Sequence, residues 1–430
     1  MPALKIQEYF KDMEQPELIP HLFRTEFSKI TAVLCKFLGI DHLEMAEDIA
    51  SETFLAALET WAYKGLPQNP VAWLYTVAKN KARNRLKRDH LFAGKITAAL
   101  KKDQPGMEDA DIDLSEQNIT DSQLQMLFAI CHPSLPEEAQ VGLALRILCG
   151  FGIDEIAGAF LTNRETINKR LFRAREKLRE EKKRIEFPGE GEINKRLEPV
   201  LTTLYLLFNE GYYSESNDTI IREELCLEAM RLVYLLIDNE KTNLPQVNAL
   251  LSLFCFHASR FEARKTEKGE MVLYQDQDES KWDKELIRKG VYFLQQASKG
   301  DSLSKYHLEA GIAWWHTNKL DSREKWENIL QLYNRLLQVE YSPVAALNRT
   351  YALAMANGKQ EAIPEAEKLN LTGNPYYFSL LGELYAGSDN KKAISHLERA
   401  ISLAKSGADK SILARRIRKI LEEFPDSAVS

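Results

Sequence analysis

Apolar residues recur every three to four positions along most of this chain, and alternating β-branched runs are nearly absent. That period predicts amphipathic helices rather than strands, so the expected fold class is all-α. The pattern breaks where polar and acidic residues take over from 95 to 121, and again at Pro188-Gly189 and Gly191. Glycine and proline at such breaks mark loops. The chain therefore divides into a helical block over 1–94, an acidic linker over 95–121, a second helical block over 122–187 and a many-helix region over 193–430.

In the second block, Ile153 to Phe160 reads as a short helix, and a tight turn leads from it into a longer one. Thr162 followed by Glu165 has the spacing of a capping box, each side chain satisfying an orphan backbone N–H. Ile167, Leu171, Ala174 and Leu178 then fall at i, i+4, i+7 and i+11, a narrow buried stripe. Thr166, Lys169, Arg170, Arg173 and Lys177 share about a third of the circumference opposite, with Arg164 just ahead of them. A helix carrying such a face fits the major groove, where Arg and Lys reach guanine edges and phosphates. A charge run alone more often marks a solvated face, and it is the capped helix-turn-helix setting that favours DNA.

Charge sharpens the division. The net charge of the 430 residues is -6, yet Lys79 to Arg88 holds six bases and no acid, and a second basic concentration spans Arg164 to Arg184. Between them, Asp103 to Asp121 holds seven acids and no base. That linker reads either as a solvated tether or as a nucleic-acid mimic facing a positive channel. The length calls for two or three domains, and no apolar run is long enough for a membrane helix, so a cytoplasmic protein without a membrane partner is expected. Five dispersed cysteines, never in a CxxC pair, read as buried thiols. Cys131-His132 and Cys255-Phe256-His257 each offer two ligands without convergent partners, so no metal is expected.

Gly150-Phe-Gly-Ile-Asp-Glu-Ile-Ala157 and Thr166-Ile-Asn-Lys-Arg-Leu-Phe-Arg-Ala-Arg-Glu-Lys-Leu-Arg179 resemble region 4 of extracytoplasmic-function sigma factors. The resemblance implies that this helix reads the minus-thirty-five promoter element. Glu165 stands where many members of the family have glycine or a small residue, and an acid near phosphate would shift or weaken promoter preference. Ala46-Glu-Asp-Ile-Ala-Ser-Glu-Thr-Phe-Leu55 resembles region 2.2, which docks on the β′ clamp of core RNA polymerase. Asp48, Glu52 and Phe54 are the candidates there, although acids at helical spacing are more often a solvated face.

Val71-Ala-Trp-Leu-Tyr-Thr-Val-Ala-Lys-Asn-Lys-Ala-Arg-Asn-Arg-Leu-Lys-Arg88 resembles region 2.3 and its neighbour. The likeness implies opening of the minus-ten element, with a base flipped into a pocket at the preceding loop. Lys64, Gln68, Asn69, Trp73, Lys79, Lys81, Arg83 and Arg85 are the candidates, since single strands are held by aromatic faces and by cations that track phosphates. Val71, Leu74, Ala78, Ala82 and Leu86 form the buried stripe of that helix. Trp73 can equally be a core residue. The order of the segments implies a sigma factor whose partners are core polymerase, at the β′ clamp and the β flap, and promoter DNA.

Leu204-Tyr-Leu-Leu-Phe-Asn-Glu-Gly-Tyr-Tyr213 and Tyr274-Gln-Asp-Gln-Asp-Glu-Ser-Lys-Trp-Asp283 resemble signatures of one subgroup with a tetratricopeptide-type extension. Glu279 stands where that subgroup usually has Arg. Leu381-Gly382-x-x-Tyr385 followed by Ala393-x-x-x-Leu397-x-x-Ala400 has tetratricopeptide spacing, and 344–369 reads as a poorer copy. Stacked helix pairs of that kind leave a concave surface for a protein or peptide partner. Asp276, Gln277, Asp278, Ser280 and Trp282 read as a regulatory latch or structural corner, because no third ligand, base or nucleophile accompanies the two carboxylates.

Two rival readings remain at this level. A conventional helix-turn-helix regulator with a sensing domain leaves 48–54 and 73–88 unexplained, and a pure scaffold predicts no DNA contact. The chain has no phosphate-binding glycine loop, HExxH or GxSxG motif, so neither an enzyme nor a cofactor is expected.

Overall fold

A computed structural model describes residues 15–96, 112–160, 162–181, 185–189, 191–212, 223–265, 272, 274–404 and 407–423. Among these residues every regular element is helical, as the apolar period predicts. The chain forms two compact units, Met1–Glu210 and Gly211–Ser430.

The first unit opens with α1 (Gln15–Leu38), α2 (Leu43–Lys64) and α3 (Pro70–Ile96). On α2, Ala46, Ile49, Ala50, Phe54, Ala57 and Trp61 recur every three to four residues and are all buried, while Leu74, Ala78 and Ala82 form the matching stripe of α3. Gly39 (φ +94°) and Gly65 (φ +76°) end α1 and α2 in backbone that favours glycine. Asn69 starts α3, its Oδ1 accepting from Ala72 N at 3.0 Å.

Then follow α4 (Glu116–Ile130), α5 (Glu137–Leu143), a π-turn over Ala144–Leu148, α6 (Ile153–Ala159), α7 (Arg164–Glu180) and α8 (Ile193–Tyr212). Ser115 caps α4, accepting from Asn118 N, so helix begins six residues before the expected boundary at 122. The core of the linker, 97–111, lies outside the described residues.

Two expectations change. The helix-turn-helix cap is Asn163, whose side chain accepts from Thr166 N at 2.8 Å, rather than Thr162. The amide acceptor reaches the first turn from one residue later, and Glu165 pairs outward with Lys169 instead. α8, which opens the region expected from 193, lies almost wholly in the first unit by its contacts. Arg196 Nη2 donates to Phe128 O at 2.7 Å and Thr203 Oγ1 to Gln140 Oε1 at 3.0 Å, tying α8 to α4 and α5. Finally, Phe54 is core, 3% exposed, with Phe23 at 5.0 Å between ring centroids.

The second unit comprises α9 (Glu223–Asp238), α10 (Pro245–Ala258), α11 (Lys284–Ala297), α12 (Lys305–Trp315), α13 (Arg323–Val339), α14 (Pro343–Asn357), α15 (Lys359–Leu369), α16 (Pro375–Tyr385), α17 (Asn390–Leu403) and α18 (Gly407–Glu423). From α12 onward a single apolar core runs through the stack, including Ile329, Ala352, Leu381, Leu397 and Leu413. The repeat spacing works as expected at Gly382: a Cβ there would sit 2.6 Å from Leu397 Cγ, so only glycine lets α16 and α17 meet. Gly290 of α11 does the same against Phe256 of α10.

Candidate nucleic-acid interface

The turn between α6 and α7 is held at both ends. Glu155 Oε2 accepts from Gly152 N at 2.6 Å at the start of α6, and Asn163 caps α7. Ile167, Leu171, Ala174 and Leu178 are all buried, which turns Arg164, Thr166, Lys169, Arg173 and Lys177 outward, each of them exposed. Arg164 meets Asp154 at 3.5 Å, Lys169 meets Glu165 at 2.6 Å and Lys177 donates to Ser134 O. Pairs this exposed hold their charges weakly and release them readily to phosphate. Arg173 has no partner among the described residues.

Arg170 differs. It is half-buried, bonded to Glu138 Oε2 at 2.6 Å and placed 5.4 Å from the Phe160 ring centre, so it braces α7 against α5 and α6. Its expected place among the outward cations is therefore corrected: packing on Phe160 draws the guanidinium inward.

On α3, Arg83, Lys87 and Arg88 are exposed, whereas Lys79, Lys81 and Arg85 are half-buried. Trp73 is half-buried edge-on to Trp61, 5.3 Å between centroids, so it is partly a packing residue. Tyr75 donates to Glu26 Oε2 at 2.6 Å, and burial pushes its phenol pKa up. In the loop, Lys64 and Gln68 are exposed while Asn69 serves as the helix cap. Tyr63, 92% exposed beside Lys64, is an aromatic face that sequence reasoning missed, since nothing in helical period distinguishes a terminal tyrosine from a core one.

The outer face of α2 carries Asp48 and Glu52, both exposed, with Lys81 Nζ 3.2 Å from Glu52 Oε2. With Phe54 in the core, the exposed apolar residues there are Leu55 (55%) and Leu58 (50%).

A buried ion cluster joins the two helical blocks. Glu47 of α2 is 5% exposed, and its two oxygens accept from Arg146 Nε at 2.9 Å and from Arg175 Nη2 of α7 at 2.6 Å. Arg146 also donates to Phe151 O at 3.1 Å and lies over the Phe27 ring. Burial pushes the Glu47 carboxyl up, against the downward pull of Arg175 and Arg146. Beside it, Cys35 is buried like the other four cysteines. Burial pushes the Cys131 and Cys255 thiols up to about 12.

In the second unit Asp276, Asp278 and Ser280 are exposed while Gln277 and Trp282 are buried. Hydrogen bonds from the Ser280 hydroxyl and from Ser280 N, the latter at 2.9 Å, hold the Asp278 carboxyl below the usual range. Among the described residues no group of three or more His, Cys, Asp or Glu could hold a metal. None of the described helices is long and apolar enough to cross a membrane.

These features define an all-α, helix-turn-helix DNA-binding protein. Residues 22–91 match the model of sigma-70 region 2 and 128–178 that of sigma-70, region 4. Residues 196–298 match a family of unknown function, DUF6596. An uncharacterized protein of Rhizobium meliloti (strain 1021) is 30% identical over 390 residues, covering 89% of this chain and 91% of that protein. No solved structure matches. The chain belongs to the sigma-70 family, as an extracytoplasmic-function-type sigma factor with a C-terminal helical extension. It serves promoter-specific transcription initiation, with core RNA polymerase and promoter DNA as the partners its two sigma regions imply. A conventional regulator leaves the match over 22–91 unaccounted for.

Proposed function

We propose that the chain docks on the β′ clamp of core polymerase through the outer face of α2, with region 4 at the β flap. Asp48, Glu52, Leu55 and Leu58 would form the docking edge, acids ringing exposed leucines on one helix face. α7 reads the minus-thirty-five element with Arg164, Thr166, Lys169, Arg173 and Lys177, while Arg170 holds the helix in register. Tyr63, Lys64, Gln68 and Trp73, with the cations of α3, engage the opened minus-ten strand. The helical extension modulates this activity, through Asp276, Gln277, Asp278, Ser280 and Trp282 and through a protein or peptide partner of the repeats.

The observation that carries the reading is the outward cationic face of α7 over its buried stripe, in a chain whose α2 and α3 match region 2. Binding of labelled full-length protein to core polymerase tests the docking edge. Leu55→Asp with Leu58→Asp is expected to weaken binding at least tenfold without unfolding the chain, since both side chains already face solvent. Unchanged affinity in the folded double variant refutes the edge.

A further inference from the structure

The two subgroup signatures of the extension, far apart in sequence, meet around one arginine. Arg260 Nη2 donates to the Tyr212 hydroxyl at 3.3 Å, and its guanidinium carbon lies 5.4 Å from the Tyr274 ring centre. Tyr274 in turn stacks on Trp282 (6.2 Å, 29°) and meets His316 edge-on at 5.2 Å. Arg260 is half-buried, and no carboxylate lies within ion-pair distance of it among the described residues.

Three further polar atoms here are buried without a hydrogen-bond partner among the described residues: Trp282 Nε1, His316 Nδ1 and Gln277 Oε1. Trp282 is 2% exposed and Gln277 5%. Buried polar groups are ordinarily satisfied, so unpartnered atoms on Trp282 and His316, both packed on the Tyr274 ring that the Arg260 guanidinium also faces, mark a place where something is missing. Lys325, 1% exposed, adds a second cation, with Nζ 2.6 Å from Asn318 O and 3.4 Å from the Tyr274 hydroxyl. Of the carboxylates whose charge reaches this place, Asp321 is engaged by Trp326 Nε1 at 3.2 Å and by Lys325 at 3.4 Å, and Glu279 is exposed. Burial above all, with Arg260 and Lys325 adding to it, pushes the His316 imidazole down to about 3, so it is neutral near pH 7.

The geometry points to a binding site for a small oxyanion, a carboxylate or phosphate group, on Arg260, Trp282 Nε1–H and His316 Nδ1 beside Tyr274. Neutral His316 in its Nδ1–H tautomer supplies the third donor. Planar guanidinium and oxyanion pair through parallel N–H···O bonds. The amide of Gln277, whose Nε2 makes only a 3.4 Å bond to Val272 O, is positioned to meet a further polar group of the ligand. The assignment goes beyond the sigma reading and does not depend on it, because every residue belongs to the second unit.

Isothermal titration of the full-length chain with inorganic phosphate, and separately with succinate, tests the site and separates its two sources. Saturable one-to-one binding of one probe is expected. Arg260→Gln should weaken it by about 10- to 100-fold, the worth of a charged hydrogen bond. Trp282→Phe keeps the ring and removes only the N–H, so it should weaken binding several-fold even if Arg260→Gln fails to fold. No saturable binding of either probe, or equal binding by wild type and a folded variant, overturns the assignment.

Discussion

Glu47 is where α2 and α7 share a buried charge, and Glu47→Ala tests what that contact holds. In the wild type its carboxylate faces Arg146 and Arg175, whose side chains are 22% and 17% exposed. Removing one member of such a cluster costs about 3–5 kcal/mol, because the opposing charges stay buried without compensation. The lower end applies here: Arg146 keeps Phe151 O, and Arg175 keeps Glu44 at 3.9 Å. About 3 kcal/mol corresponds to roughly a 100-fold loss of amide protection in α2 and α7, read by native-state hydrogen exchange on the full chain. The same contact bears on promoter use. Elements about 25 base pairs apart lie roughly 85 Å apart along B-form DNA, at about 3.4 Å per pair. A compact unit of 210 residues has a radius of gyration of only about 17 Å. On the proposed reading the two blocks separate to reach both elements, and Glu47→Ala should also lengthen the distance between fluorophores placed on α3 and α7. Protection within threefold of wild type at both helices would refute the reasoning.

Arg173→Ala should lower duplex affinity and reduce the slope of log affinity against log salt by about 1, with stability unchanged, since no partner among the described residues is lost. Arg170→Ala should instead destabilise the first unit, seen as lower exchange protection of α7. Because His316 falls to about 3 when folded from 6.5, the unfolded chain binds more protons between those values. Its stabilising contribution is thus present above pH 6.5 and lost as pH falls toward 3, and His316→Gln should flatten that dependence in acid titrations of the extension. Gly290→Ala places a Cβ 2.5 Å from Phe256 Cε1 and should cost about 1–3 kcal/mol, measured by denaturation of the second unit.

Local period made the helices legible, and each member of the α7 stripe is buried as its spacing predicts. The capping residue was misread by one position because Thr162 and Asn163 are both competent caps and only backbone geometry chooses between them. Phe54 was misjudged because it sits beside Leu55 on a helix with apolar residues around much of its girth. Which of two adjacent side chains faces solvent depends on Phe23 and Phe27 of α1. The Glu47 cluster joins residues 99 and 128 positions apart, and no periodicity encodes such a pairing. Likewise Arg260 lies in neither signature, and only folding brings it between Tyr212 and Tyr274.

The central claim is tested most directly by transcription from a fragmented genome with purified core RNA polymerase, with and without the full-length chain. Discrete start sites that require the chain and share one upstream motif, and that weaken with Arg173→Ala, are the predicted result. Binding to duplex DNA without any chain-dependent start site, and without association with core polymerase, would contradict it.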